Sequence, residues 1–384
     1  MIFSMLEYVL HDIGARRVVR SNVREERGRA LLSYLNQPLK WRADDPRLSG
    51  HSNKWESREI AVTLNSLGYG VDAIFYANKS FLPRRKYDVL MDIHGNMQRL
   101  APLLPDSLKL FHITGSYPRF QNAAEARRAK EFEERTSRPY RPKRWIEDPD
   151  EFDRSLEAAD RCSLIGNETT LSTFPERFRK KITPVRVSAS RSYIKPASKL
   201  AEGEEFVWFF GTGAVHKGLD RTLEAFSRLP GLKLNVIGRV DRDEEFMAAY
   251  QEALRRPNIR YHGHLDPESD AFREIVERSI AFVAPSCSEG ISPAAATMMQ
   301  AGLYPIVSRE TGLTLPDGRG IYLSDCSPEE IAQACSRVAD MPAPERDESI
   351  AECQRFALGE YSREAFSEDM RAYLGSALGA KEGM

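Results

Sequence analysis

Charge of one sign is missing from this 384-residue chain: 55 lysines and arginines face 56 aspartates and glutamates, a formal net charge of -1. Proteins that grip a nucleic-acid backbone ordinarily carry a clear basic excess, so nucleic acid is excluded as the expected partner. Cysteine is scarce. Cys162, Cys287, Cys326, Cys335 and Cys353 are odd in number and form no C-x-x-C, which argues against both a disulfide framework and a zinc site and suits a reducing compartment. No apolar run approaches the length of a membrane span. The opening MIFSMLEYVLHDIGARR lacks a basic leader and a small-residue cleavage site, so it does not read as a signal peptide. Low-complexity tracts and short-period repeats are also lacking. The expected location is cytoplasmic, with room for peripheral contact at the inner membrane face.

What is present is an α/β rhythm in a chain long enough for two cores. Hydrophobic residues make up 41% and charged residues 29%, the composition of a globular protein. In the second half, apolar runs at 206–210, 232–237, 259–261, 280–284, 303–307 and 321–323 suit strands buried on both faces of a parallel sheet. Helical patterns separate them: Leu219, Leu223 and Phe226 line one face of 217–229, and Ser327-Pro328-Glu329-Glu330 is a capping box. The first half repeats the rhythm less regularly. Strands are expected at 30–35, 71–76, 87–93, 108–113 and 162–165, and helices at 54–67 and from Asp148-Pro149 to about Ala159. The expected division is 1–186, 187–360, and a terminal helix over 361–384 returning to the first unit. Residues 36–52 read as a long loop. The stretch 119–147 is dense in Arg, Lys and Glu of mixed sign and reads as a solvated helix and loop rather than a basic surface for an anionic lipid or acceptor.

Chemistry concentrates in two strand-to-helix turns. In Pro285-Ser286-Cys287-Ser288-Glu289-Gly290-Ile291-Ser292-Pro293, Ser292 suits the N-cap and Pro293 the first helical position. A helix start at the carboxyl edge of a parallel sheet offers free N–H groups and a positive dipole end, which together bind anions. Glu289 can accept hydrogen bonds from sugar hydroxyls, and Gly290 lets a ligand approach the backbone. The second turn, Phe210-Gly211-Thr212-Gly213-Ala214-Val215-His216-Lys217-Gly218, aims Lys217 at the same crevice. Two such turns in one sheet can hold a diphosphate between them.

The order Gly211…Lys217-Gly218, Leu234-Asn235-Val236-Ile237-Gly238, Tyr261-His262-Gly263, Ser288-Glu289-Gly290-Ile291, Ala301-Gly302 and Thr311-Gly312 resembles the donor domain of the retaining GT-B glycosyltransferases of family 4. The match covers roughly 206–373. The resemblance implies a GT-B fold of two Rossmann-like doubly wound domains facing a cleft. It implies transfer of a sugar from a nucleotide-diphosphate sugar to the hydroxyl of a sugar, glycolipid or other glycan acceptor, with retention, no cofactor and no obligatory metal, in polysaccharide or glycoconjugate assembly. Lys217 would then neutralise the diphosphate and Glu289 bind the transferred sugar. Ser288 and the amides of Gly290, Ile291 and Ser292 would hold the sugar and distal phosphate, with Gly211, Gly213 and Gly218 shaping the opposite loop. Gly238, Arg239, His262 and Gly263 would lie near the nucleoside.

The sequence also departs from that family. A second glutamate is usual eight positions after the first, where Thr297 stands, and an arginine is frequent where Thr212 stands. The glycine-rich turn after the first strand is not apparent. A histidine of the first domain is frequent beside the reacting sugar; His112 is the candidate catalytic one, with His94, His51, Ser52, Thr114 and Gly115 on the acceptor side. The departures keep two alternatives open: a non-catalytic sugar-nucleotide-binding protein of the same fold, or a sugar-nucleotide epimerase or hydrolase. The sugar, base, acceptor, linkage and oligomeric state are not legible.

Overall fold

The computed structural model describes residues 17–189 and 204–382. The opening stretch to residue 16, on which the leader reading rests, lies outside the described residues. The first sheet holds β1 (Val19–Ser21), β2 (Gly28–Tyr34), β3 (Tyr69–Phe75), β4 (Val89–Asp92), β5 (Leu108–Ile113), β6 (Arg161–Ile165) and β7 (Ile182–Val185), in the order β1-β3-β2-β4-β5-β6-β7. Only β1 runs antiparallel to its neighbour. Its helices are α1 (Ser52–Ser66), α2 (Asn96–Leu100), α3 (Pro118–Thr136), α4 (Pro149–Ala158), α5 (Glu168–Ser172) and α6 (Glu176–Arg179).

The second sheet is wholly parallel. It contains β8 (Glu205–Phe209), β9 (Lys233–Ile237), β10 (Ile259–Gly263), β11 (Ser279–Ala284), β12 (Tyr304–Ser308) and β13 (Ile321–Leu323), in the order β10-β9-β8-β11-β12-β13. Helices α7 (Leu219–Phe226), α8 (Glu244–Tyr250), α9 (Asp270–Arg278), α10 (Pro293–Gln300) and α11 (Pro328–Ala339) alternate with the strands, and α12 (Ala343–Glu360) and α13 (Arg363–Glu382) follow. This is a doubly wound order with its switch point between β8 and β11, where a crevice opens outside the strand ends. In the first sheet the corresponding switch lies between β2 and β4.

Every strand named from the sequence is present, with ends displaced by at most two residues. The expected N-caps form, Asp148 accepting from Glu151 N and Ser327 from Glu330 N, but the box at Ser327 is not closed: the Glu330 carboxylate accepts from the amides of Ser324, Asp325 and Cys326 instead of that of Ser327. Three further readings need correction. Strands β1 and β7 were not expected. Residues 36–52 are not a plain loop, because prolines at the first turn start two 3-10 helices, Gln37–Lys40 and Pro46–Ser49. In the stretch 119–147 the loop after Thr136 is largely exposed, but the helix is not a solvated one. Glu125 and Arg128 of α3 are buried, and the face carrying them packs on the second half of the chain.

One apolar cluster runs from the α1 face of the first sheet through Phe132 and Tyr140 into the second half. A separate cluster fills the other face of the first sheet. Helix α13 packs back on α1 and β7. Phe366 meets Trp55 edge-on at 5.7 Å, and Arg186 pairs with Asp369 at 2.7 Å. Among the described residues no helix is long and apolar enough to cross a membrane.

Candidate active site

The turns after β8 and β11 meet because their strands are adjacent at the switch point. A Cβ on Gly218, whose φ is +70°, would stand 2.7 Å from the Pro285 carbonyl, so only glycine permits the two loops to touch there. Cys287 N donates to the His216 carbonyl at 2.9 Å and Trp208 Nε1 to the Lys217 carbonyl at 3.2 Å, which fixes the lysine loop against both neighbours. The amides of residues 211–216 make no hydrogen bond among the described residues. They form a row of open donors of the kind that receives an anion.

Lys217 is buried, with Nζ 5.2 Å from the centre of the Phe210 ring and in ion-pair contact with Glu289 Oε1. Burial, reinforced by the charge of Arg144, holds its pKa well below the ordinary lysine value. The charges of Cys287 and Glu125 oppose that shift. The two residues singled out for diphosphate and sugar therefore face one another across the crevice.

Glu289 also lines a cavity of about 240 Å³ between the two halves of the chain, with Ser116, Phe120, Thr169, Thr170, Ser172, Thr173 and Glu310. Hydroxyls dominate this wall. Ser116 Oγ and Ser288 Oγ are hydrogen-bonded, and Thr170 Oγ1 donates to the Gly290 carbonyl at 3.0 Å. Gly290 was expected to admit a ligand. What approaches it here is the first half of the chain: a Cβ would lie 2.4 Å from the Ile165 carbonyl and 3.1 Å from that of Thr114. Thr114 and Gly115 thus sit directly opposite the Glu289 turn.

Several expected positions are placed otherwise. Ser292 N donates to the Thr311 carbonyl at 2.9 Å, so of the three amides assigned to sugar and phosphate only Gly290 and Ile291 lack a hydrogen bond among the described residues. Ser292 does cap α10 through its side chain. Thr297 is buried, and its hydroxyl donates to the Pro293 carbonyl one turn back, the back-bonding that a helical threonine favours. His262 Nε2 contacts Asn235 Oδ1 at 2.9 Å, and Asn235 reaches Glu205 at the start of β8, which draws that ring away from the carboxyl edge of the sheet. Arg239 meets the lysine loop through backbone, its N donating to Gly211 O, and Gly238 packs against the Phe210 carbonyl; Gly263 joins them only through its carbonyl, which accepts from Gly238 N.

His112 has no exposed surface. Its Nδ1 contacts Ser163 Oγ at 2.9 Å and its ring packs near Tyr34 and Phe366, so burial pushes its pKa down to about 4. It belongs to the core beneath α13 and does not line the cleft. Ser52 is buried beside Glu56. His51 is exposed at the start of α1, where Nδ1 accepts from Asn53 N, and His94 is exposed beside the Tyr76 ring. Both follow strands of the first sheet's switch point.

Sequence reasoning missed the contribution of α3. His216 Nδ1 lies 2.5 Å from Glu125 Oε1, its Nε2 donates to the Ser288 carbonyl, and Cys287 Sγ stands 3.6 Å from Nδ1. Burial pushes His216 down to about 4, against the opposing pull of Glu125. Glu125, His216 and Cys287 bring their potential ligand atoms within 4.8 Å of one another. Arg128 Nη2 donates to the Pro285 carbonyl at 2.8 Å. The available signal was Asn122, Glu125 and Arg128 at helical spacing on one face of α3.

Residues 204–341 match the family model described as Glycosyl transferases group 1. The sucrose-phosphate synthase from Thermosynechococcus elongatus is similar over 94% of this chain and 100% of that one, with a TM-score of 0.66 at 15% identity. OtsA in its apo structure is similar over 93% and 99%, with a TM-score of 0.61 at 10% identity. The fold is GT-B. Another GT-B neighbour, Anabaena Alr3699/HepE in complex with UDP and glucose, aligns over 92% of this chain and 99% of that one, with a TM-score of 0.58 at 10% identity. No curated protein sequence matches the chain. Within the GT-B frame, the family match begins just before β8 and runs to the end of α11, so it contains both the lysine loop and the Glu289 turn.

Proposed function

We propose that this protein is a glycosyltransferase that moves a sugar from a nucleotide-diphosphate sugar to an acceptor hydroxyl. The observation that carries the reading is the meeting of Lys217 and Glu289 at the β8/β11 switch point, beside a hydroxyl-lined cavity closed by the first half of the chain. The HepE complexes, one with UDP-glucose and one with UDP and glucose, support a nucleotide-sugar as the donor. The cavity falls below the roughly 300–1,000 Å³ of sites that enclose whole drug-sized ligands, so it suits a single sugar ring, with the nucleotide lying along the lysine loop.

Negative charge grows on the leaving diphosphate in the transition state. In this reading Lys217 exchanges Glu289 for that charge, and the open amides of 211–216, Gly290 and Ile291 add preorganised donors. Glu289, released, accepts from hydroxyls of the transferred sugar. Retention, with the leaving phosphate receiving the acceptor proton, follows from the family resemblance, as do independence from an obligatory metal and a role in polysaccharide or glycoconjugate assembly. Residues 1–186 would form the acceptor side, 187–360 the donor side, and 361–384 the returning helix. The contact of Gly290 with Ile165 and Thr114 excludes water from the reacting centre and limits donor hydrolysis.

A second reading, sugar-nucleotide binding without turnover, is favoured by Thr297, whose hydroxyl is turned to its own helix, and by the Thr311 contact on the Ser292 amide. Incubation of the purified chain with UDP-, GDP- and ADP-sugars, with and without sugar acceptors, separates the readings. Acceptor-dependent release of nucleotide is expected, falling by about 100-fold or more in Glu289→Ala. Unchanged turnover in that variant overturns the site. Binding without release supports the second reading, and release independent of acceptor supports an epimerase or hydrolase.

A further inference from the structure

Arg144 belongs to the irregular segment after α3, and its backbone is held firmly. Its N–H donates to Glu125 Oε2 at 3.1 Å and its carbonyl accepts from Gln121 Nε2; further along, Ile146 N donates to Asn122 Oδ1 and the Ile146 carbonyl accepts from Asn122 Nδ2. Glu125 in turn grips His216, the residue before Lys217. The segment is therefore registered on the lysine loop by a shared carboxylate.

The side chain crosses to the other half of the chain. A Cβ on Gly213, at φ +84°, would stand 2.9 Å from Arg144 Cδ and 3.2 Å from Cγ. The arginine stem thus lies flat on the loop whose amides are open. Its guanidinium makes no hydrogen bond or ion pair among the described residues; the residue keeps exposed surface, yet the atoms around its head are dense enough that desolvation lowers its pKa. It is close enough to Lys217 that, after burial, its charge is the largest cause of that lysine's lowered pKa. Two like charges pressed on one loop repel each other unless an anion lies between them. Glu125 lies near enough to raise the pKa of both cations, but its oxygens are already held by His216 and by the Arg144 amide, and Glu289 is engaged by Lys217.

We propose that Arg144 is a diphosphate-binding residue: its guanidinium and Lys217 clasp the donor's diphosphate from opposite halves of the chain. This rests on the nucleotide-sugar reading above. The clasp makes donor binding depend on the closed arrangement, because the two cations share a ligand only while α3 stays docked on the lysine loop. A planar fork suits two phosphate oxygens better than an ammonium does, so lysine is a poor replacement at this position.

Calorimetric titration tests the proposal. UDP, GDP and ADP are titrated into the full chain, and the tightest of them is compared with its own monophosphate. Arg144→Ala is expected to weaken the diphosphate by about 10- to 100-fold and the monophosphate by about threefold at most, with Arg144→Lys between wild type and alanine. The helical circular-dichroism signal should be unchanged, since the hydrogen bonds that hold the segment are made by the Arg144 backbone and not by its side chain. Diphosphate affinity within twofold of wild type in Arg144→Ala overturns the proposal, as does an equal loss for diphosphate and monophosphate. If the wild-type chain binds none of the three nucleotides, the nucleotide-sugar reading falls first and the clasp with it.

Discussion

At the scale of single residues, two groups act through where their backbone or carboxyl is buried. Glu56 on α1 is fully enclosed beside Ser52 and accepts from Ser188 at 3.1 Å, and burial raises its pKa from 4.5 to about 7 despite those hydrogen bonds. Its protonated form is the one the fold prefers. The stability it confers is complete below pH 4.5, where the unfolded chain is protonated too, and is lost as pH rises to about 7. Glu56→Gln should therefore leave the melting temperature nearly unchanged at pH 4.5 and raise it at pH 8, by a margin worth about 3 kcal/mol. Thermal melts of both proteins across that range check the sign. Gly290 makes a different demand, because a methyl group there would meet the Ile165 carbonyl. Gly290→Ala should lower turnover by about 10-fold or more while leaving the two sheets folded, measured as nucleotide release against far-ultraviolet dichroism. Lys217 and Glu289 were legible in the sequence because glycines and prolines punctuate the turns that carry them. The fates of Ser292 N and of the His262 and His112 rings were not, because each is decided by a partner remote in sequence: Thr311, Asn235, and Ser163 with Phe366.

At the scale of elements, legibility followed burial. The parallel strands β8, β9, β11 and β12 have a neighbouring strand on each side and read as largely apolar runs, which is why their ends came out within two residues. The two unexpected strands are the edges of the first sheet. β1 is Val-Arg-Ser with no apolar run, and β7 carries Pro184, tolerated because an edge strand need not donate on its outer side. Helix α3 was misread because the arginines and glutamates that dock it look like solvated charge until their partners on the other half are known. Helix α13 shows the converse case, an element anchored by an apolar face on which Phe366, Met370 and Leu374 are fully buried. Phe366 is fully buried against Trp55 and His112. Phe366→Ala should destabilise the chain by about 3–5 kcal/mol. Denaturant titration should show it as a lower midpoint at unchanged slope, and an effect under about 1 kcal/mol would mean that α13 is held by its ion pairs with Arg186 rather than by packing.

At the scale of the whole molecule, the two sheets are joined by more than a connecting segment and a returning helix. One face of α3 and the segment after it form a polar latch on the second half. Arg135 pairs with Asp220 and, at 2.9 Å, with Glu224; Glu131 pairs with Arg221; Tyr140 donates to Asp243 at 2.8 Å; Lys143 meets Glu245 at 2.7 Å. The outer pairs are partly exposed and contribute little each. Asp220 differs, because it is completely buried: burial raises its pKa, and the charge of Arg135 is the largest influence opposing that rise. Removing Arg135 leaves a buried carboxylate with a weaker set of counter-charges, which costs about 3–5 kcal/mol if the interface stays shut. Opening the cleft instead returns Asp220 to water, so the same change favours an open form over a closed one. Arg135→Ala should then give a larger radius of gyration in solution scattering, a second calorimetric transition as the halves unfold separately, and a raised KM for the donor. Asp220→Asn in the same chain removes the charge that drives the opening and should restore the compact form. A double variant as extended as Arg135→Ala alone would show that the latch holds through shape rather than charge.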